Sequence, residues 1–394
     1  MIIGIDTSRA YISDKTGTEN YSYHLINALI RLPESKSHTF VLFTRPNPIL
    51  PKELVGYTNV IVKVVKWPYL WTQIGLAWET WKMSGLDVLW VPAHTLPVLR
   101  NPKINTVVTI HGLEYQWLPE YKNILQKWYL PLSTFYAAKS ADMLIAVSKF
   151  TSKQLQEQLH TDNKKIKVIH EGTELHSRSV GALHSGSVWD KHGLQFKKYI
   201  LFVGSVQPRK NLVALVEAFS LVAKNLPAQA DIKLVIAGGI GWMAEEVLGA
   251  PSRYGVQEKV IFTGRISDIE LSSLYASATV YVQPSITEGF GLPVLEAMAN
   301  GVPVISSDGG ALGEVVGKAG VIVNLKSKMT DSQIGDKFAA RLAEAMVRVI
   351  GDKKLQNNLI SMGLERVKDF SWEKAAKATL EVLAGKGYNH NIQS

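Results

Sequence analysis

The chain has 394 residues, of which 46% are hydrophobic and 20% charged, and its formal charge is +9. That length exceeds one ordinary core and predicts two domains, while the composition excludes a disordered, collagen-like or small stapled chain. With no cysteine at all, disulfides, cysteine-held zinc, iron–sulfur clusters and thiol catalysis are excluded as well.

The start, Ile2-Ile3-Gly4-Ile5 into Asp6-Thr7-Ser8, lacks the cationic opening of a secretory leader and reads as a first strand. No apolar run approaches the ~18 residues that a spanning helix needs. A cytoplasmic protein is the expectation. Short apolar runs then alternate with helical patterns, the mark of β-α units around parallel sheets. In the first half the predicted strands are Ile2–Asp6, Phe40–Thr44, Val60–Val65, Val88–Val91, Thr106–His111, Met143–Ser148 and Ile166–His170. Most are continuous β-branched runs, as strands covered on both faces should be.

Between the first two strands, the loop Asp14 to Asn20 precedes a helical pattern with Tyr21, Leu25, Leu29 and Leu32 on one face. Gly17 in that loop could let backbone approach a phosphate or an acceptor. Further on, the strand Thr106–Ile110 runs into His111-Gly112. A histidine at the carboxyl end of a buried strand is placed to reach a ligand. Residues 172–194, rich in Gly, Ser and His and without periodicity, predict a linker.

Tyr199 opens a second strand series: Tyr199–Gly204, Lys233–Ala237, Val260–Thr263, Val280–Gln283, Val302–Ser306 and Val321–Asn324. After Gly204 come Gln207-Pro208-Arg209-Lys210-Asn211, with Asn211 as the expected N-cap of a helix through Phe219. Two cations at a helix start oppose its dipole, so Arg209 and Lys210 point to an arriving anion. After Gln283 comes Pro284-Ser-Ile-Thr-Glu288-Gly289-Phe290-Gly291-Leu292-Pro293-Val-Leu-Glu296. The glycines let backbone N–H groups turn outward, Pro293 suits a first helical turn, and such a helix start attracts phosphate. Glu288 and Glu296 suit hydroxyl donors, as on a ribose or hexose; for Glu296 a simple complement to the helix dipole is a fair alternative, though the functional reading is favoured. The last pattern, Trp372, Ala375, Ala376, Thr379, Leu380 and Leu383, is one face of a helix that could pack on either domain.

No Gly-x-Gly-x-x-Gly follows the first strand, and there is no Walker A, Asp-x-Asp or Gly-x-Ser-x-Gly sequence. The segment Pro284 to Ile305, with Glu288 and Glu296 eight apart, resembles the EX7E segment of retaining glycosyltransferases of family 4. Val203-Gly-Ser-Val-Gln-Pro-Arg209-Lys210-Asn211 is similar to the diphosphate-binding loop of that family. Thr109-Ile-His111-Gly, Ala146-Val-Ser148-Lys and Phe370-Ser-Trp372-Glu fit it too.

The resemblance implies a GT-B fold: two α/β Rossmann-like domains facing across a cleft, with the last helix crossing back to the N-terminal domain. It implies residues 1–175 as the acceptor-binding domain, joined by helix 371–386, and 196–370 as the nucleotide-sugar domain, with 176–195 between them. It also implies sugar transfer from a nucleoside-diphosphate sugar to a glycan or lipid-linked acceptor, with retention and without a metal. Carried over, Arg209 and Lys210 hold the diphosphate, Glu296 the ribose, Glu288 the donor hexose, and His111 the sugar near the reacting carbon. Gly17, Gly204, Gly289, Phe290, Gly291 and Leu292 complete the implied donor contacts. The Glu288-Gly-Phe-Gly-Leu-Pro form resembles mannosyltransferases and makes GDP-mannose the first expectation. Two departures stand out: Lys15-Thr16-Gly17-Thr18 replaces a glycine-richer loop, and His170-Glu171-Gly172-Thr173-Glu174 replaces an Asn-Gly-Val-Asp-like hinge. With no carboxylate beside His111 in sequence, same-face attack by the acceptor is the expected route to retention.

Competing expectations are a sugar-nucleotide epimerase of the same architecture and a non-catalytic sugar-nucleotide-binding protein. A nucleic-acid partner rests on charge alone and is set aside. The charge is uneven, however, with 20 basic and 14 acidic side chains in residues 1–180. Seven of the ten tryptophans lie there too: Trp67, Trp71, Trp78, Trp81, Trp90, Trp117 and Trp128, several near Lys66, Lys82, Lys122 and Lys127. That mixture suits an anionic membrane surface, with the protein peripheral on its inner face. The plainer alternative puts Trp78 and Trp81 on an ordinary helix–core face.

Overall fold

A computed structural model describes residues 1–13, 15–113, 124–173, 191–225, 231–325 and 334–385, without the side chains of 55, 124–128 and 334–337. The chain divides into two compact units, one of Met1–Gly172 with Phe370–Ser394 and the other of Thr173–Asp369. The linker expected at 176–195 lies mostly outside the described residues, as do Trp117 and Lys122.

The first unit is built on seven strands: β1 Ile2–Asp6, β2 Thr39–Thr44, β3 Val60–Val64, β4 Val88–Val91, β5 Asn105–Ile110, β6 Met143–Ala146 and β7 Ile166–Val168. They form one parallel sheet in the order β3-β2-β1-β4-β5-β6-β7. Continuous apolar strands such as β4 are buried along their whole length, which is why they read as unbroken hydrophobic runs. β3 is different: it is an edge strand with Ile61, Val62 and Val64 exposed. The helix expected after Asn20 begins earlier, at Gly17, and runs to Arg31. Glu19 closes its first turn by accepting from the Thr16 N–H at 3.1 Å, half of a capping box.

The second unit repeats the scheme with β8 Tyr199–Val203, β9 Lys233–Ala237, β10 Val260–Gly264, β11 Val280–Gln283, β12 Val304–Ser307 and β13 Val321–Val323. All pair in parallel, in the order β10-β9-β8-β11-β12-β13. Ile200, Phe202, Leu234, Ile236, Val280 and Val282 are fully buried at its centre. β12 starts two residues later than expected, since Pro303 has no N–H for the ladder.

The final helix, Trp372–Leu383, packs on helix Gly17–Arg31 of the first unit. Trp372 stacks on His24 at 5.4 Å and meets the Tyr21 ring at 6.0 Å. Gly172 lies against the backbone where the chain returns, so close that a Cβ there would stand 2.2 Å from the Trp372 nitrogen. Only glycine fits that contact.

Both sheets share one feature that positions the chemistry. The strand order reverses direction between β1 and β4 in the first unit, and between β8 and β11 in the second. Loops leaving the carboxyl ends of such neighbours run apart and open a crevice there.

Candidate functional site

In the second unit β8 and β11 pair with Val280 opposite Ile200 and Tyr281 opposite Leu201. Their outgoing loops, 204–211 and 284–291, therefore start side by side although 80 residues separate them in sequence. They are stapled together: the Ile286 N–H donates to the Arg209 carbonyl at 2.8 Å, and the Asn211 carboxamide donates to the Pro284 carbonyl at 3.2 Å. Asn211 is thus not the N-cap expected from sequence. It closes the short turn Pro208–Lys210 in a left-handed conformation, with φ of 56°, and the helix after it spans Leu212–Asn225. Asparagine tolerates that conformation better than most residues.

Glu288 is the centre of the assembly. One carboxylate oxygen, Oε1, accepts from Lys210 Nζ at 2.5 Å, Ser285 Oγ at 2.7 Å and Gln283 Nε2 at 2.8 Å. The other, Oε2, accepts from Arg209 Nη1 at 2.7 Å, and the same nitrogen donates to the Thr287 carbonyl at 3.1 Å. Lys210 and Glu288 are both buried. Burial alone would raise the Glu288 pKa, but the charges of Lys210 and Arg209 and their hydrogen bonds overcome it and hold it down, to about 2. The two cations that looked misplaced at a helix start have a resident anion. The sequence argument put them at this loop and missed Glu288 as their partner.

Two cations around one carboxylate leave a local charge of +1. Beside them begins the helix Leu292–Ala299, with Gly291 at its N-cap in a φ of +117° and Pro293 in its first turn, as expected. The peptide dipoles at this helix start add to the positive field. Gly289 and Phe290 are buried behind this turn, and Leu292 is half-buried. Gly204 ends β8 at φ +150°. Glu296 lies in the second turn of the helix, so it does not complement the dipole, and its Oε2 accepts from the Tyr275 hydroxyl at 2.8 Å.

Sequence reasoning passed over several residues here. Gln283 and Ser285 gave no signal beyond lying next to the motif. Gly310, at φ +65°, packs under Glu288, where a Cβ would stand 2.3 Å from the Glu288 carbonyl oxygen. The Ala311 N–H donates to that same carbonyl at 2.9 Å. The Gly309-Gly310 pair after β12 was a visible signal for such close backbone approach.

In the first unit His111 follows β5 directly. Its Nδ1 lies 3.2 Å from Glu171 Oε1 and its Nε2 lies 2.9 Å from the Pro92 carbonyl. Tyr21 meets the ring edge-on at 4.5 Å. Both nitrogens face acceptors; a neutral imidazole donates to only one, whereas the protonated ring donates to both. The expectation of no carboxylate beside His111 held only along the sequence. The hinge departure at Glu171 brings one to it in space. Next to His111, at 5.6 Å between rings, is His94, whose pKa burial and then His111 and Arg9 push down to about 3. At the end of β1, burial raises the pKa of Asp6, which accepts from the Ser8 N–H at 2.9 Å. Gly17 sits exposed at the start of helix Gly17–Arg31, with open space where a side chain would go.

Glu171 fixes the ring of His111, and its loss should let the ring turn. Glu171→Ala is expected to lower turnover about 10–100-fold, the scale set by misplacing a group by an ångström. Glu171→Gln, whose amide oxygen still accepts from Nδ1, should recover most of it. Equal losses in the two variants, measured as kcat at saturating substrate, would refute a positioning role.

Residues 190–366 match the family described as glycosyl transferases group 1, and residues 15–177 match glycosyltransferase family 4. The O-antigen chain mannosyltransferase B of Escherichia coli is 30% identical over 70% of this chain and 68% of its own length. The D-inositol 3-phosphate glycosyltransferase of Nocardioides sp. is 29% identical over 62% of this chain and 54% of its own. Among solved structures, the sucrose-phosphate synthase of Thermosynechococcus elongatus covers 97% of this chain and 98% of its own at a TM-score of 0.72 and 21% identity. That last likeness is one of fold.

Proposed function

The chain belongs to the group 1, family 4 glycosyltransferases, enzymes of GT-B fold that transfer a sugar from a nucleotide sugar, and we propose that its donor is GDP-mannose and its acceptor a glycan or lipid-linked glycan. Two observations support mannose: the Glu288-Gly-Phe-Gly-Leu-Pro form, and the mannosyltransferase of Escherichia coli that matches over two thirds of its own length. The proposed transfer supports polysaccharide or glycoconjugate assembly on the inner face of a membrane.

The observation that carries the site assignment is the buried Arg209–Glu288–Lys210 cluster beside the Gly291 helix start. When the bond between sugar and diphosphate breaks, negative charge builds on the leaving phosphate and positive character on the sugar. Preorganised donors aimed at that negative charge are usually the largest catalytic factor. Arg209, Lys210 and the backbone N–H groups at 290–292 are assigned to the diphosphate, which gives the charge stabilisation a metal would otherwise provide. Glu288 Oε2 accepts from Arg209 alone among the described residues, and its second acceptor direction suits a sugar hydroxyl. Glu296, held by Tyr275, is assigned to the ribose. His111 is assigned to the sugar near the reacting carbon, and Gly17 to phosphate or acceptor through its backbone. Retention follows by same-face attack, with Glu171 engaged by His111 and not bonded to sugar. Isolation of a covalent sugar adduct on Glu171, or on any other carboxylate, would replace that route with a double displacement.

The donor test is a thermal-shift and hydrolysis screen across GDP-, UDP- and ADP-sugars. GDP-mannose should stabilise the protein most and be hydrolysed or transferred fastest. A larger shift and faster turnover with another base or sugar would overturn the donor assignment while leaving the family intact. Product formed from donor alone as an isomerised nucleotide sugar would instead favour an epimerase.

A further inference from the structure

One face of the first unit exposes more apolar surface than its fold needs. The chain from Trp71 to Lys82 is a π-helical turn, Trp71–Leu76, continuing into the α-helix Ala77–Lys82. Trp71, Gly75, Leu76 and Thr80 are buried on its inner side. The opposite side carries Ile74, Trp78 and Trp81, spaced by four and three residues, and the two tryptophans are each 55% exposed. A surface helix normally turns polar residues outward. This one is apolar on both faces, so Trp78 and Trp81 are not the helix–core pair that their spacing suggested.

The surface continues across neighbouring segments. The Trp81 indole N–H donates to the Leu99 carbonyl at 2.9 Å, and Leu99 is 76% exposed. Gln73 accepts from the Val98 N–H at 3.0 Å and reaches the Tyr129 hydroxyl at 3.4 Å. Tyr129, Leu132 and Phe135 then form an exposed stripe at three-residue spacing on helix Ile124–Ser140. Just before the π-turn, Trp67, Tyr69 and Leu70 are exposed as well. Lysines stand among these side chains. Lys82 lies over the Trp78 ring at 5.5 Å and Lys139 over the Phe135 ring at 5.8 Å, while Lys66 and Lys103 are exposed. Glu79 pairs chiefly with Lys63, at 2.5 Å, and its other oxygen lies 3.9 Å from Lys82, so it offsets only part of that charge.

Large apolar patches on a soluble unit mark an interaction site. Their composition distinguishes the partner. Protein–protein interface cores are depleted in lysine, whereas tryptophan, tyrosine and lysine together match the headgroup layer of a bilayer. Indole and phenol rings bury an apolar body with a polar tip at that depth, and lysines are drawn by anionic headgroups. We propose that this face, from Trp67 through Trp81 to Phe135, rests on an anionic lipid surface. This deepens the assignment of a lipid-linked acceptor. Its test uses neither donor nor acceptor, so either proposal can fail alone.

The full chain is mixed with vesicles of phosphatidylglycerol and phosphatidylcholine, or of phosphatidylcholine alone, and sedimented. Binding is expected to the anionic vesicles only and to weaken with salt. Trp78→Ser combined with Trp81→Ser should reduce the bound fraction severalfold. Lys66→Ala combined with Lys82→Ala should weaken binding roughly tenfold or more, since each lysine near the surface contributes about a fivefold factor. Melting curves matching the parent protein show that the fold is kept. Should the serine pair fail to fold, the exposed lysine pair decides. No sedimentation of the parent protein, or unchanged sedimentation of the folded variants, would overturn the proposal. So would a dimer broken by the same substitutions in the absence of lipid binding.

Discussion

Lys210→Ala is expected to reduce turnover of the nucleotide sugar by about 10²–10³-fold, the usual loss when one preorganised donor to a developing negative charge is removed. The lysine is buried, its ammonium 2.5 Å from Glu288 Oε1, so its position is fixed before any donor arrives. That rigidity is what makes its charge effective: a preorganised group spends nothing on reorganisation as the diphosphate leaves. Glu288 keeps Arg209, Gln283 and Ser285 after the substitution, so its carboxylate remains paired and the unit should fold. The measurement is kcat alongside a melting curve. A variant that melts lower but turns over at the parent rate would make Lys210 a structural counter-ion and sink the assignment.

Glu288→Ala should do more, because it damages stability and turnover together. It leaves a guanidinium and an ammonium close together in a buried site with no carboxylate between them. Removing one partner of such a cluster typically destabilises by about 3–5 kcal/mol, mostly from the uncompensated charge left behind. In a unit of this size that is a fall of roughly 10 °C in Tm. Glu288→Gln keeps the shape and one acceptor but not the charge, and should fall between the two. A melting temperature for Glu288→Ala within a degree or so of the parent would show that the cluster carries no net stability.

The pH dependence follows from the same cluster. The Glu288 pKa is depressed from an ordinary 4.5 to about 2 in the folded protein. A depressed carboxylate contributes stability above its unfolded pKa and loses it as pH falls from about 4.5 through 2. The acid limb of the stability curve should therefore be shallower in Glu288→Gln, which has no proton to take up there.

The strands were legible because parallel strands covered on both faces must be apolar on both sides, so β8 and β11 appear as unbroken runs. Arg209, Lys210, Glu288 and Gly291 were legible because each sits where a loop meets a helix start, a place with its own electrostatics. The resemblance to family 4 carried the chemistry, and the matches over 15–177 and 190–366 establish the family. Glu171 was invisible as a partner of His111, since 60 residues separate them and only β5 and the end of the first unit bring them together. Trp78 and Trp81 stood open between core and surface for a related reason. Helical spacing reveals that they share a face, but which face the rest of the unit covers is not written in the local pattern.

The sequence by itself determined the two-sheet α/β plan, the absence of any cysteine chemistry and the residue types at each loop after a strand. It also determined the +9 charge and its lean toward the first half. Only the tertiary structure decided what those charges face. Strand order sets β8 beside β11, and that adjacency turns two apparently misplaced cations and a distant glutamate into one buried cluster. Burial then fixes its energetics, because the same charges would attract one another only weakly in water and do so strongly once desolvated.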